Sequence, residues 1–120
     1  MNPIMLISLN DSDCRLEIDS VASELRVEPI FVSFGDHLAD LVDRVRPFVL
    51  IIEFTNDTAN WLQKHLTNIK SDHSDCPVIG IITGDNESDF TRLERAGCDK
   101  IMNKKAFLAK SKASIEKYLR

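Results

Sequence analysis

The sequence predicts an α/β protein whose parallel sheet carries helices on both faces. Five short apolar runs alternate with segments that have helical spacing of apolar residues, and the connections between them are only a few residues long. The third run, Phe48 to Ile52, has no polar alternation, which is typical of a central parallel strand covered on both sides. We therefore predict five βα units in one doubly wound domain that spans residues 1–120.

The composition agrees with a single globular domain. The chain has 120 residues, of which 43% are apolar and 28% charged, and independent domains most often have ~100–150 residues. Its longest apolar stretches have about eight residues, far fewer than the ~20 that cross a bilayer, so no membrane span is expected. The start Met1-Asn2-Pro3 lacks the basic region of a leader peptide. Three cysteines at unpatterned spacing favour reduced thiols and a cytoplasmic protein.

The first two βα units are predicted between Ile4 and Val45. The apolar run Ile4 to Leu9 predicts a strand, and the polar cluster after it predicts a helix start. The inner positions of this helix are predicted to be Leu16, Val21, Ala22 and Leu25. Val27 to Phe34 predicts a strand that Pro29 places at an edge of the sheet. The second helix, with Asp36 as its N-cap, follows from the i, i+3, i+4, i+7 spacing of Leu38, Leu41, Val42 and Val45.

The other three units occupy the rest of the chain. The third strand ends in Glu53 and precedes a helix over Thr58 to Ile69. A buried strand over Pro77 to Ile82 precedes a weakly amphipathic helix over residues 87–96, which is centred on Phe90 and Leu93 and ended by Gly97. Ile101-Met102 predicts a very short last strand. The closing helix is predicted over Phe107 to Leu119, with Leu108, Ile115 and Leu119 facing inward.

Charge is distributed unevenly along the chain. Residues 1–97 have a net charge of −9, whereas residues 98–120 have a net charge of +5. A basic block of this kind is more often a solvated helix face than a nucleic-acid patch. Because only Phe107 and Tyr118 supply aromatic groups there, we expect no direct nucleic-acid binding.

Polar and charged residues stand where the predicted strands end. Asn10 and Asp11 follow the first strand, Glu53 ends the third, and Lys104 follows the fifth. In doubly wound sheets, sites form outside the carboxyl ends of the strands. We therefore expect Asp11, Glu53 and Lys104 to converge at this edge.

Two segments carry a resemblance to a known family. Pro47 to Glu53 resembles the strand that leads to the phosphoacceptor in the receiver domains of two-component response regulators, the CheY-like family. Ala96 to Lys104 resembles the family's A-G-A-x-x-(aromatic)-x-x-K segment, and the resemblance covers essentially the whole chain. It implies a flavodoxin-like (βα)5 fold with strand order 2-1-3-4-5. It also implies a signalling function, in which an acidic pair binds Mg²⁺, an Asp accepts a phosphoryl group, and a Thr or Ser and a Lys complete the site.

The site residues of the family are only partly matched. Glu53 stands in the place of the phosphoacceptor, Asn10 and Asp11 in that of the acidic pair, and Lys104 in that of the lysine. Ile82, or Thr83 after a one-residue shift, stands at the switch hydroxyl. The chain also departs from the family at two further positions, where Ile101 replaces the switch aromatic and Lys105 the proline after the lysine.

These departures favour a pseudo-receiver that is not phosphorylated and is not an enzyme. Mg²⁺ requires oxygen ligands at ~2.0–2.1 Å in octahedral geometry, and the longer Glu53 side chain would occupy that space. We therefore expect no catalytic residue and no cofactor, with Asp11 only a weak candidate for Mg²⁺, and an ion pair between Glu53 and Lys104. The alternative is a phosphorylatable receiver with an unusual acceptor and Mg-dependent phosphotransfer.

Simpler interpretations of the same residues stay open. Glu53 could be a solvent-facing acid, Asp11 only a helix cap, and Lys104 part of the solvated basic face. Asp57 could be proposed as a displaced acceptor, although a turn or N-cap role is more typical of its position. A zinc site at His65, His73 and Cys76 is disfavoured because the spacing lacks a second ligand pair.

The resemblance also implies where partners would bind. In the family, the face formed by the fourth helix, fifth strand and fifth helix carries dimer and output contacts. We expect a protein partner or a homodimer through this face, since its charges could pair across a two-fold axis. The chain could stand alone or be the N-terminal part of a longer regulator. The face would carry ten charged residues: Asp89, Arg92, Glu94, Arg95, Asp99, Lys100, Lys110, Lys112, Glu116 and Lys117.

Overall fold

The computed structural model describes residues 2–33, 38–55, 59–82 and 87–119. All strands in these ranges are parallel and form one sheet in the order β2-β1-β3-β4-β5, which confirms the predicted fold class and strand order. The elements are β1 Ile4–Ser8, α1 Ser12–Leu25, β2 Glu28–Phe31, α2 Leu38–Val45, β3 Val49–Phe54, α3 Ala59–Asp72, β4 Val78–Ile82, α4 Glu87–Ala96, β5 Lys100–Asn103 and α5 Lys104–Glu116. The predicted N-cap Asp36 lies outside the described residues.

The central strands are apolar throughout because both faces of the sheet are covered. Successive side chains of a strand point to opposite faces, so in β3 Val49 and Ile51 pack towards α1 and α5. Leu50 and Ile52 pack in the second core, against α2, α3 and α4. Every residue of β3 is buried, which explains the missing polar alternation.

Strand β2 lies at the edge of the sheet, as Pro29 predicts. The Glu28 N–H donates to the carbonyl of Pro3, just before β1, and the Val32 N–H donates to the Ile7 carbonyl of β1. Pro29 lies at an intervening position where no donor to β1 is needed. The strand is also shorter than predicted, since it ends at Phe31.

Two predicted inward positions are wrong. Leu16 is 70% exposed and Phe90 is 44% exposed. In α1 the residues that face the sheet are Cys14, Ile18, Val21 and Ala22. At ~100° per residue, Leu16 lies on the opposite side of the helix from Leu25, so it falls outside this face. The other predicted inner positions, Val21, Ala22 and Leu25, belong to the buried or partly buried face.

Two element boundaries differ from the predicted ones and change where candidate residues lie. Strand β3 continues to Phe54, so Glu53 lies within the strand and not beyond it. Helix α5 begins at Lys104, directly after β5 and three residues earlier than predicted, with Asn103 as its N-cap. In α5, Phe107 and Ile115 are fully buried, whereas Leu108 and Leu119 are only partly buried.

The opposite edge of the sheet is held together by Lys70 and Asp99. The Lys70 Nζ donates to the Cys76 carbonyl and to Asp99 Oδ2, both at 2.9 Å. Asp99 Oδ2 also accepts from the Val78 N–H at 2.7 Å. Gly97, with φ +107°, lies against the Lys70 stem, where a Cβ atom would come within 3.0 Å of Lys70 Cγ. This contact explains why glycine ends α4.

Within the described ranges, no helix has the length and apolar character needed to span a membrane.

Candidate functional site

The candidate site lies where β1, β3 and β5 end, and Glu53 is its buried member. Glu53 is 7% exposed and lies on the same face of β3 as Val49 and Ile51, which pack towards α1 and α5. Its Oε1 accepts a hydrogen bond of 3.0 Å from the backbone N–H of Asn10. The carboxylate therefore joins the end of β3 to the loop after β1.

Asp11 uses both carboxylate oxygens. Its Oδ1 accepts the Cys14 N–H at 3.0 Å and caps α1, and its Oδ2 lies 2.9 Å from Lys104 Nζ. The hydrogen bond from Lys104, followed by the one from the Cys14 N–H, lowers the pKa of Asp11 below its ordinary value. This confirms the capping role, and it adds an ion pair to the fifth helix.

Lys104 lies between two carboxylates. Its Nζ is 2.9 Å from Asp11 Oδ2 and 2.9 Å from Asp13 Oδ2. Hydrogen bonds to Asp11 and then to Asp13 raise the pKa of Lys104 well above its usual range. The cap of α5 fixes the lysine in place, since Asn103 Oδ1 accepts the Ala106 N–H at 2.7 Å.

The expected ion pair between Glu53 and Lys104 is wrong. Among the described residues, Lys104 pairs with Asp11 and Asp13, and Glu53 accepts from the Asn10 N–H. The reason is that α5 begins at Lys104 itself, so the lysine is held beside the acidic N-terminus of α1. Asp11 and Lys104 do converge as predicted, but Glu53 contacts the neighbouring loop.

Sequence reasoning missed Asp13. It belongs to the polar cluster Asn10-Asp11-Ser12-Asp13, where it passes for an ordinary acid in the first turn of a helix. The signal that could have identified it is the Asp-x-Asp spacing, which places two carboxylates at one helix N-terminus.

Arg15 is a second residue that sequence reasoning missed. Its Nη1 donates to the Leu9 carbonyl at 3.0 Å, and its guanidinium lies 4.4 Å from the centre of the Phe31 ring. Arg15 therefore covers the end of β1 and connects α1 to β2.

The Cys14 thiol is buried beside the site and is not a nucleophile. Burial, followed by the negative charges of Asp11 and Glu53 among other causes, raises its pKa to about 12. Since the thiolate is the reactive form, this thiol is unreactive near neutral pH.

When the chain is aligned with the family without a gap, the switch-hydroxyl position at the end of β4 is Ile82, which has no hydroxyl. Ile82, the last residue of β4, is 2% exposed and packs in the core beneath α2, α3 and α4. Thr83 and Asp57 lie outside the described residues. Asn10 is exposed, and its backbone rather than its side chain contacts Glu53.

The described residues do not fit a Mg²⁺ ion. Within these ranges, no group of three or more His, Cys, Asp or Glu side chains could hold a metal. Both Asp11 oxygens already have partners, and the Lys104 ammonium supplies the positive charge that the two aspartates would otherwise take from a cation.

One stripe of α1 carries the contacts to α5. Asp13, Glu17 and Glu24 share a helix face at spacings of four and seven residues. Glu17 Oε2 accepts from the Ser111 hydroxyl at 2.9 Å, and Glu24 lies 3.2 Å from Lys112 Nζ. Part of the basic character of the C-terminal helix is therefore neutralised within the chain.

At least four residues of the expected partner face have partners within the chain. The Arg92 guanidinium lies 5.7 Å from the centre of the Phe54 ring, and Lys117 Nζ lies 5.7 Å from that of Tyr118. Asp99 binds Lys70 and the Val78 N–H, and Lys112 pairs with Glu24. The exposed charged groups that stay on this face include Glu94, Arg95, Lys110, Glu116 and Lys117. The face keeps its mixed charge with fewer residues than expected.

The doubly wound α/β domain with charged residues at its strand ends is similar to known structures, although at low sequence identity. No protein-family model matches the chain, and no curated protein does. A response regulator from Thermotoga maritima matches with a TM-score of 0.82 at 10% identity, over 99% of this chain and 98% of its own. The CheY-like protein TadZ from Pseudomonas aeruginosa matches with 0.80 at 15% identity, over 98% and 99%.

An orphan response regulator of H. pylori matches with a TM-score of 0.76 at 18% identity, over 98% of this chain and 97% of its own. These likenesses show that the chain has the fold of CheY-like response regulator receiver domains.

Proposed function

We propose that this chain is a signalling module of the response regulator type that acts through protein contacts without being phosphorylated. The receiver fold supports the class of function. The observation that carries the finer proposal is the pairing of Lys104 with Asp11 and Asp13. In this arrangement the chain's own lysine offsets one of the two aspartate charges.

Phosphoryl transfer depends on positioning and on neutralisation of charge by a metal. At this site the two acids nearest the α1 N-terminus share one ammonium, which offsets one of their two negative charges and weakens their attraction for Mg²⁺. We propose that the chain uses no cofactor and has no enzymatic activity of its own.

Glu53 supports the same proposal. Its buried carboxylate accepts a backbone N–H, and a buried ionised group needs such a donor to offset its lost hydration. The contact ties β3 to the β1–α1 loop without any covalent modification. The carboxylate therefore holds the two strand ends in one arrangement.

Incubation with acetyl phosphate and Mg²⁺, followed by intact mass measurement, tests this proposal. We expect the chain to keep its mass, while an ordinary receiver treated in parallel gains one phosphoryl group. A phosphoryl group on this chain would contradict the proposal and favour the alternative, a phosphorylatable receiver with an unusual acceptor. Peptide mapping would then identify that acceptor.

We propose a protein partner or a second copy of the chain for the face of α4, β5 and α5. Its exposed charges of both signs, which include Glu94, Arg95, Glu116 and Lys117, suit a two-fold contact in which acids meet bases. Light scattering at several salt concentrations tests the homodimer. We expect a dimer that weakens as salt rises, and a salt-insensitive monomer at high protein concentration would contradict the homodimer.

A further inference from the structure

We propose that the Lys104 ammonium acts as a resident cation that keeps divalent metal ions out of the pocket formed by Asp11 and Asp13. This inference rests on the proposed function, because it names the residue that holds the site in its unmodified state. It makes Lys104 a positioning residue, since its effect is exerted through the two aspartates.

The geometry provides the first step. One Nζ atom lies 2.9 Å from an oxygen of each aspartate, so the two carboxylates are held close together on either side of a single positive charge. Asp11 cannot turn away, because its other oxygen caps α1 through the Cys14 N–H. Asp11 is therefore held by the helix start and does not depend on Lys104 for its position.

The surrounding charges provide the second step. From β3, the negative charge of the buried Glu53 acts on the Cys14 thiol. From α1, Arg15 is directed away to the Leu9 carbonyl and the Phe31 ring. Without Lys104, the nearest charges would be predominantly negative, and two like charges in contact favour the uptake of a cation.

The ligand chemistry provides the third step. Mg²⁺ and Mn²⁺ are oxygen-seeking ions, and Mg²⁺ is commonly bound by one or two carboxylates with several waters retained. Asp11 and Asp13 supply two such ligands as soon as the ammonium is removed. Although both carboxylates are present in the native chain, the Lys104 ammonium occupies the space between them and excludes the metal ion.

The test compares Mn²⁺ binding to the native chain and to Lys104→Met by paramagnetic broadening of backbone amide signals. We expect broadening confined to residues near 11–14 in the variant, with a dissociation constant at least about tenfold lower than in the native chain, a difference of about 1.4 kcal/mol. Mg²⁺ should compete with Mn²⁺ and restore the signals.

Lys112→Met is the matched control. It removes another lysine that pairs with α1, but its partner Glu24 stands without a second carboxylate in the pocket, so Mn²⁺ binding should stay as in the native chain. The double variant Lys104→Met/Asp13→Asn should lose the Mn²⁺ affinity that Lys104→Met gains. Lys104→Gln keeps a polar side chain and serves if the methionine variant fails to fold.

Two outcomes would overturn the inference: a folded Lys104 variant that binds Mn²⁺ no better than the native chain, or a Lys104→Met/Asp13→Asn variant that keeps the affinity gained by Lys104→Met. Neither outcome is the same as failure of the proposed function, which is judged by the phosphoryl mass of the native chain. Metal exclusion and phosphorylation are therefore separated by independent measurements.

Discussion

At the scale of single residues, Asp11 has two roles that substitutions can separate. Asp11→Asn keeps an N-cap oxygen for the Cys14 N–H but loses the charge that pairs with Lys104. Asp11→Ala loses both, and the lost cap alone should lower the free energy of unfolding by about 1 kcal/mol. Urea unfolding at pH 7 should rank the native chain above Asp11→Asn, and Asp11→Ala lowest. Equal stability of the two variants would contradict the capping role.

The pH dependence of the same pair follows from the lowered pKa of Asp11. Since the folded pKa lies below the ordinary value of 3.8, the stabilisation is fully present above that value and is lost as the pH falls through the folded pKa. The stability gap between the native chain and Asp11→Asn should therefore be constant from pH 7 to about pH 5 and close towards pH 2. A gap that persists unchanged at pH 2 would contradict the assignment.

Part of this residue-level detail could be predicted from sequence. The spacing of strand ends brings Asp11 and Lys104 to the same edge, because parallel strands share one carboxyl end. The partner of each side chain could not be predicted, since it depends on where a helix begins. Lys104 pairs with Asp13 because α5 starts three residues earlier than its apolar pattern suggests.

At the scale of elements, α1 offers two apolar residues of nearly equal size in opposite environments. Ile18 is fully buried in the core beside α5, whereas Leu16 is 70% exposed. Ile18→Ala should lower the free energy of unfolding by roughly 2–5 kcal/mol because it leaves a cavity. Leu16→Ala should change it by less than about 0.5 kcal/mol.

Thermal and urea unfolding of the two alanine variants provide the measurement. A large loss of stability from Leu16→Ala would show that this face of α1 is covered. A negligible loss from Ile18→Ala would contradict the burial of the face of α1 that contains Cys14, Ile18, Val21 and Ala22.

Whether a segment forms a strand or a helix was easier to predict than which of its residues are buried. β1, β3 and β4 were predictable because a strand buried on both faces needs an uninterrupted apolar run. Single inner positions were harder to predict, because an apolar residue such as Leu16 can lie on the exposed side of a helix. The same limit applies to α4, where Phe90 is exposed and Leu93 is buried.

At the scale of the whole molecule, the acidic body and the basic C-terminal helix form one electrostatic arrangement. Lys104 and Lys112 of α5 meet Asp11, Asp13 and Glu24 around α1. Exposed pairs of this kind each contribute at most about 1 kcal/mol, so the buried core supplies most of the stability. The pairs instead determine which charges are left for partners.

The central claim is that the Lys104 ion pairs and the Glu53 hydrogen bond hold the strand-end site in one arrangement without a phosphoryl group. Amide spectra of the ¹⁵N-labelled native chain, recorded with Mg²⁺ and the phosphoryl mimic beryllofluoride, test it most directly. We predict that the signals of residues 10–14, 53 and 104 stay in place. Saturable shifts at those residues that require both Mg²⁺ and beryllofluoride would contradict the claim.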